Sequence, residues 1–137
     1  MIPYQAKSGK VAGTSLGEVK KNVLTFYYKE IKGATKRRPY IRSTYFNKEK
    51  IFFDYFWSHL FQKTPKDRMA RLKYFKASVE LIKNSREKPS KKVNPNNKNE
   101  ILYRFAGLTK SKELFYVQIK EDQKTNRKYL MSCFAPE

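Results

Sequence analysis

The sequence predicts an α+β fold in which two or three N-terminal helices pack on a C-terminal antiparallel sheet, a meander of three to four strands. Three observations lead there. Apolar residues recur at helical spacing through residues 15–84, the period changes to two after residue 100, and the stretch between is polar and rich in Pro, Asn and Lys. At 137 residues the chain fits one core, since about 100–200 residues is the usual domain size. The expected organisation is a flexible N-terminal segment, 1–14, followed by a single domain, 15–137. That domain divides into a helical half (15–84), a connector (85–99) and the sheet (100–135).

The first helix is expected from Ser15, which has N-cap chemistry with Glu18 at the third helical position. Val19, Val23, Phe26, Tyr27 and Ile31 form its apolar face, and Gly33 would end it. Pro39 forbids a helix interior, so the segment through Phe46 is expected to be extended, as a strand or a pinned loop. Asn47 to Gln62 predicts a second helix capped by Asn47, with Phe52, Phe53, Phe56, Trp57 and Leu60 gathered on one side. Thr64 and Asp67 have capping-box spacing around Pro65, and Met69, Leu72, Phe75, Val79 and Ile82 predict a helix to about Asn84. Three strands are expected at Ile101 to Gly107, Leu114 to Glu121 and Lys128 to Phe134.

Charge narrows the function. Lys and Arg number 31 against 12 Asp and Glu, a formal net charge of +19, and the excess runs along the whole chain. Self-repulsion of that size is relieved by an anionic partner, here expected to be RNA. Disorder is excluded as the reason for the charge, because 10 Phe, 10 Tyr and one Trp supply ample core. The single cysteine, Cys133, rules out an internal disulfide framework and fits a reducing compartment. No secretory h-region and no membrane-length apolar run is present, so the expected location is the cytoplasm, with no membrane partner.

Alternation sorts the meander into faces. Ile101, Tyr103 and Phe105 oppose Leu102, Arg104 and Ala106; Phe115, Val117 and Ile119 oppose Tyr116, Gln118 and Lys120. The third strand offers either Lys128, Leu130 and Ser132 or Tyr129, Met131 and Cys133 to a given face, and its register is open. Arg104, Tyr116 and Gln118 suit a phosphate backbone and an unstacked base, or else form a solvated surface. Two further basic groups are candidate nucleic-acid contacts. One is Lys36, Arg37, Arg38, Tyr40 and Arg42, where cations alternate with aromatics; the other is Arg68 and Arg71 on the outer face of the third helix. His59, the one histidine, is the natural candidate for proton transfer, or a hydrogen-bonded core residue. One His, one Cys and scattered carboxylates give no metal-ligand spacing, so no metal or other cofactor is expected. Gly-rich phosphate loops and Gly-x-Ser-x-Gly elbows are also missing from the sequence.

Three stretches together carry a resemblance. They are Arg37 to Arg42; Asp54 to Leu60 with Asp67 to Tyr74; and Tyr103 to Gly107 with Phe115 to Glu121 and Met131 to Phe134. This pattern resembles the barnase, EndoU, colicin E5/D and RelE group of small nucleases, particularly its phage-associated members. The resemblance covers about residues 36–136. It implies a metal-independent endoribonuclease of toxin or mobile-element type, with helices on one side of the sheet and RNA on the other. Cleavage would proceed by 2′-OH attack. By the same resemblance Arg104 would grip the scissile phosphate and Lys120 would be a second cation or acid. Ser132 would be a polar site residue, His59 the acid or base, and Arg71 a substrate-side cation. The paired histidines of the EndoU type and a barnase-like sheet glutamate are absent; Glu121 adjoins Lys120 but should face the other way. The alternative is a non-catalytic RNA-binding module using the same face. An acidic antitoxin or immunity protein is a further expected partner.

Overall fold

The computed structural model describes residues 1–35 and 37–137, so Lys36 of the basic run lies outside the described residues. A curled, mixed sheet of seven strands forms its centre: β1 (Tyr4–Gln5), β2 (Tyr40–Ser43), β3 (Glu49–Phe52), β4 (Ser90–Asn94), β5 (Asn97–Leu108), β6 (Leu114–Asp122) and β7 (Arg127–Phe134). Between β1 and β2 lies α1 (Leu16–Glu30); between β3 and β4 lie α2 (Asp54–Phe61), α3 (Pro65–Leu72) and α4 (Phe75–Asn84). The strand order is β1-β5-β6-β7-β3-β2, with β4 pairing β5 as well. Strands β1 and β3 run parallel to their partners β5 and β7, whereas the other pairs are antiparallel.

This overturns the expected architecture of helices followed by a C-terminal antiparallel meander. The three predicted strands are the middle of the sheet, and strands from the first half of the chain extend both of its edges. Each difference has a local cause. In place of a helix start, Asn47 and Lys48 adopt left-handed φ values of 55° and 68°. They close a hairpin in which Ser43 pairs with Glu49 and Ile41 with Ile51. Asn tolerates that conformation better than most residues, and the turn it makes converts Glu49–Phe52 into a strand. Only from Asp54 does the helix begin.

The expected connector is largely a second hairpin, β4–β5. Pro95 and Asn96 form its two-residue turn, where the Asn96 amide donates to the Asn94 side chain at 2.9 Å. Lys91, Lys92 and Val93 are exposed, so this edge strand buries too little to show an alternating pattern. The N-terminal segment is tied down as well. Strand β1 pairs with Gly107 and Leu108, and Ala6 and Val11 are buried. Glu80 of α4 accepts from Tyr4 Oη at 2.8 Å, from the Lys7 and Ser8 amides at 2.9 and 3.0 Å, and from Ser8 Oγ at 2.9 Å.

The expected helix 65–84 is two helices. Thr64 caps α3 by accepting from the Asp67 amide at 3.2 Å, with Pro65 in the first turn. At Lys73 and Tyr74 the path breaks; the Lys73 carbonyl instead accepts from the Val11 amide at 2.9 Å. The break turns Tyr74 inward to stack on Phe115, with ring centroids 5.6 Å apart. Helix α1 matches its cap, with Ser15 accepting from the Glu18 amide, and ends at Ile31 ahead of a 3₁₀ turn over Lys32–Ala34.

The core fills the space between α1, α4 and one sheet face. Phe53, Phe56, Phe75 and Phe115 are fully buried. Side chains of that size contribute roughly 1.5–3 kcal/mol each on burial. Tyr27 packs edge-on to Trp57 at 5.1 Å and Phe53 at 5.7 Å.

The register left open for β7 resolves into both alternatives. A bulge lies between the pairs Ile119↔Leu130 and Gln118↔Ser132, leaving Met131 unpaired. Before it, Lys128 and Leu130 face the core and Tyr129 faces away; after it, Cys133 faces the core and Ser132 and Phe134 face away. The buried Lys128 ammonium is met by Glu49 at 2.9 Å and Glu121 at 3.3 Å, and Tyr103 Oη donates to Glu121 at 3.1 Å. Glu121 thus faces the core side, as alternation requires.

Candidate nucleic-acid interface

The sheet face away from the core is assembled strand by strand through the register. Arg104 pairs with Gln118 and Gln118 with Ser132; Leu102 pairs with Lys120 and Lys120 with Tyr129. Phe52 of β3 sits beside Tyr129, and Tyr40 of β2 sits beside Phe52. On the other flank Ser90 and Lys92 pair with Arg104 and Leu102. The basic run at 37–42 and the polar face of the meander, separate in the sequence, therefore share one surface.

Strand β3 meets β7 only at Lys128 and Tyr129. Further along β7, α2 and α3 pack against it and carry their side chains onto the open face. Arg71, in the last turn of α3, donates through Nη1 to Ser132 Oγ and through Nε to Asp67 at 3.1 Å. Its guanidinium also lies 5.4 Å from the Phe134 ring centroid. From the other side Arg104 lies 5.1 Å from the same ring and 5.7 Å from Tyr116, and donates to Gln118 Oε1 at 3.1 Å. Gln118 in turn donates to Met131 Sδ at 3.9 Å. Arg71, Arg104, Tyr116 and Phe134 line a cleft of about 450 Å³ together with Asp67, Ala70 and residues 135–137. Two guanidinium groups converge on one ring; of the acidic residues at the cleft, Asp67 is ion-paired to Arg71 and Glu137 also lines the wall. The N–H donors of the two arginines suit an anion between them.

His59 is half-buried in the last turn of α2, and is not sealed in the aromatic core. Burial lowers its pKa from the ordinary value, and the charges of Lys63 and Arg71 lower it further. The imidazole is thereby held as the neutral base near pH 7. Cys133 is fully buried behind the site, its pKa pushed up to about 11 chiefly by burial, and its thiol contacts the Arg71 carbonyl at 3.4 Å. Such a thiol is not a nucleophile.

Other predicted site residues have different surroundings. The Lys120 ammonium is 3.0 Å from Glu100 and 3.7 Å from the Tyr55 ring centroid, with its side chain 11% exposed. Its charge is balanced there, away from the two arginines. Arg68 donates to the carbonyls of Lys63 at 2.9 Å and Phe61 at 2.7 Å, which makes it a cap for the end of α2. Arg37 is exposed, while Arg38 pairs with Asp54 at 2.9 Å and lies over Phe52 at 4.7 Å and Tyr129 at 5.6 Å. Tyr40 is flanked by Lys50 at 4.7 Å and Arg42 at 5.5 Å.

Several contributors were not singled out from sequence. Phe134 and Tyr129 lie on opposite sides of the bulge, so no single alternation shows both. Lys50 and Phe52 fall within the span expected to be helical, and Lys92 within the expected connector. Among the described residues no three His, Cys, Asp or Glu side chains gather as a metal site. Nor is any described helix long and apolar enough to cross a membrane.

The fold and site define an α+β protein with an open, cationic and aromatic sheet face. No known family, curated protein or solved structure matches the chain.

Proposed function

We propose that this protein is a metal-independent endoribonuclease acting in the cleft between α3 and the open sheet face. The observation that carries the reading is the convergence of Arg71, bonded to Ser132, and Arg104 on one cleft; His59 does not line that cleft, and the resemblance is what assigns it the part of the base. The phosphate of RNA would sit between the guanidiniums, whose donors are already oriented by Ser132, Asp67 and Gln118. His59 takes the proton of the ribose 2′-OH as that oxygen attacks the adjacent phosphorus. The bond to the 5′-oxygen breaks, and a proton reaches the leaving oxygen through water in the open cleft. The products are a 2′,3′-cyclic phosphate and a 5′-hydroxyl. A positioned base contributes about 10²–10⁴-fold and one oriented donor about 10²–10³-fold.

The resemblance to the barnase, EndoU, colicin E5/D and RelE group supports the same chemistry, with Arg71 in place of Lys120 as the partner of Arg104. A non-catalytic RNA-binding module is the second reading, favoured by the engagement of Lys120 with Glu100. Labelled RNA incubated with the protein in EDTA separates the two. The nuclease leaves cyclic-phosphate ends and spares a strand carrying 2′-deoxyribose at the cut position. Intact RNA, or equal cutting by an identically purified His59→Ala, Arg104→Ala double variant, refutes cleavage; retarded but uncut RNA selects the binding module.

A further inference from the structure

The open face continues well beyond the cleft, and its far part has the chemistry of a base-stacking track. Tyr40, Phe52, Tyr129 and Tyr55 follow one another with centroid separations of 6.0, 5.9 and 4.8 Å. Arg38 lies over the two middle rings, and Arg42 and Lys50 flank the Tyr40 end. Arg42 and Lys50 are exposed and have no ion-pair partner among the described residues. A second cleft, of about 510 Å³, opens between Arg37, Arg38, Tyr40 and Lys50.

Edge strands exposed to water ordinarily carry charges to resist pairing, which accounts for Arg42 on β2 but not for the rings. Half-exposed Tyr40 and Phe52 belong to a run that begins at the sheet edge and leads toward the cleft. Four strand spacings separate β2 from β5, roughly 19 Å at about 4.8 Å each. That distance accommodates a segment of the length that single-strand-binding folds hold, about four nucleotides or more. Paired bases stack on each other and hide their faces; only unpaired bases can lie on protein rings.

We infer that the partly exposed Tyr40–Phe52 end of this ladder, which the buried Tyr129 backs, is a second subsite, which holds the bases of single-stranded RNA whose reacting phosphate lies between Arg71 and Arg104. The inference rests on the reading of the open face as an RNA site. It assigns the ladder to affinity and strand selection, and the cleft to the phosphate. The substrate class is accordingly unpaired RNA that reaches from the cleft to β2, and duplexes are excluded because they cannot offer base faces to the rings.

The test uses the full chain and an uncleavable probe, a 12-nucleotide RNA strand with 2′-O-methyl ribose throughout, so that binding is read whether or not the protein cuts. Tyr40→Ala is expected to weaken binding of this strand about tenfold, as loss of one stacked base does. Lys50→Ala is expected to reduce the slope of log K against log salt by about 0.7, the increment for one phosphate contact on a single strand. Neither substitution should change binding of a dinucleotide, which Arg104→Ala should weaken along with the longer strand. A 12-base-pair duplex should bind more weakly than the single strand. Unchanged binding of the 12-mer by both ladder variants, equal losses for dinucleotide and 12-mer, or a preference for duplex overturns the ladder. Lack of binding to any of the probes overturns the RNA reading itself. Lys50 is exposed on the short strand β3, so its substitution keeps the test open should Tyr40→Ala fail to fold.

Discussion

Glu80→Ala removes the acceptor that fastens the N-terminal segment to α4. The carboxylate accepts from four donors: Tyr4 Oη, the Lys7 amide, the Ser8 amide and Ser8 Oγ. A hydrogen bond to a charged group contributes about 1.5–3 kcal/mol, so four would set an upper bound near ~12 kcal/mol. The true cost is smaller, because Lys7 is exposed, Ser8 is half-exposed and water can replace the lost acceptor. A loss of about 2–3 kcal/mol is expected, on the scale of two bonds that water does not restore. It should fall first on residues 1–14, exposing the edge of β5 at Gly107 and Leu108, to which β1 is paired. Amide exchange should therefore accelerate at Ala6, whose N–H bonds the Leu108 carbonyl at 2.8 Å, and the urea midpoint should drop with it. The pH dependence has a definite sign. Burial pushes the Glu80 carboxyl up, but the Lys7, Tyr4 and Ser8 hydrogen bonds outweigh it and hold the pKa below the ordinary value. Its stabilisation is complete above the unfolded pKa of about 4.3 and is lost as pH falls through the lower, folded value. Equal urea midpoints for wild type and Glu80→Ala at pH 7, with unchanged exchange at Ala6, would refute this account of the segment.

Other substitutions probe the core and the site. Gly107→Ala places a methyl 2.5 Å from Phe115 Cζ and 2.8 Å from Leu81 Cδ1. Both neighbours are buried, so about 3 kcal/mol of overpacking is expected in denaturant titrations; a loss below ~1 kcal/mol would show that the contact relaxes. Because the His59 pKa is depressed, cleavage should be flat near pH 7 and fall only on an acid limb below about 6.5. Stability associated with His59 should likewise be present above ~6.5 and decline as pH falls through its folded pKa; an acid limb above 6.5 would contradict the lowered value. Lys120→Met should retain cleavage within about tenfold while Arg71→Ala loses at least ~10²-fold, each measured on RNA at matched fold content. The reverse order would return Lys120 to the reaction.

What could be read from the sequence follows from which interactions are local. The caps at Ser15 and Thr64 are satisfied by residues three positions on, so α1 and the start of α3 were legible. The alternation of β5 from Ile101 and of β6 as far as Ile119 was legible too, because one face of each is buried over those stretches. Residues 49–52 were not, since Phe52, Phe53 and Phe56 fit a helical face equally well. Pairing of Ile51 and Phe52 with distant Lys128 and Tyr129 decides their state. The fold class failed for the same reason, as β1 and β3 owe their places to parallel partners some 75 or more residues away. At the site, Arg104, Tyr116 and Gln118 came from alternation. The juxtaposition of Arg71 with Ser132 depends on how α3 flanks β7, which no local pattern encodes.

The bulge at Met131 makes β7 two short rulers of opposite phase joined at one residue. Upstream of the joint, even-numbered positions build the interior; downstream, even-numbered positions face the cleft. Substitutions along the strand therefore act on one side of the sheet at a time, whereas a change of length at a paired position acts on both at once. Deleting Met131 would place Ser132 directly after Leu130 and keep every existing pair and face, whereas deleting the paired Cys133 would bring Phe134 opposite Val117 and drive it into the interior, removing the ring shared by the two arginines. The strand is thus open to redesign by replacement along its length but to deletion only at Met131, the one residue outside the ladder, because the pairs on either side of it already lie on consecutive residues of β6.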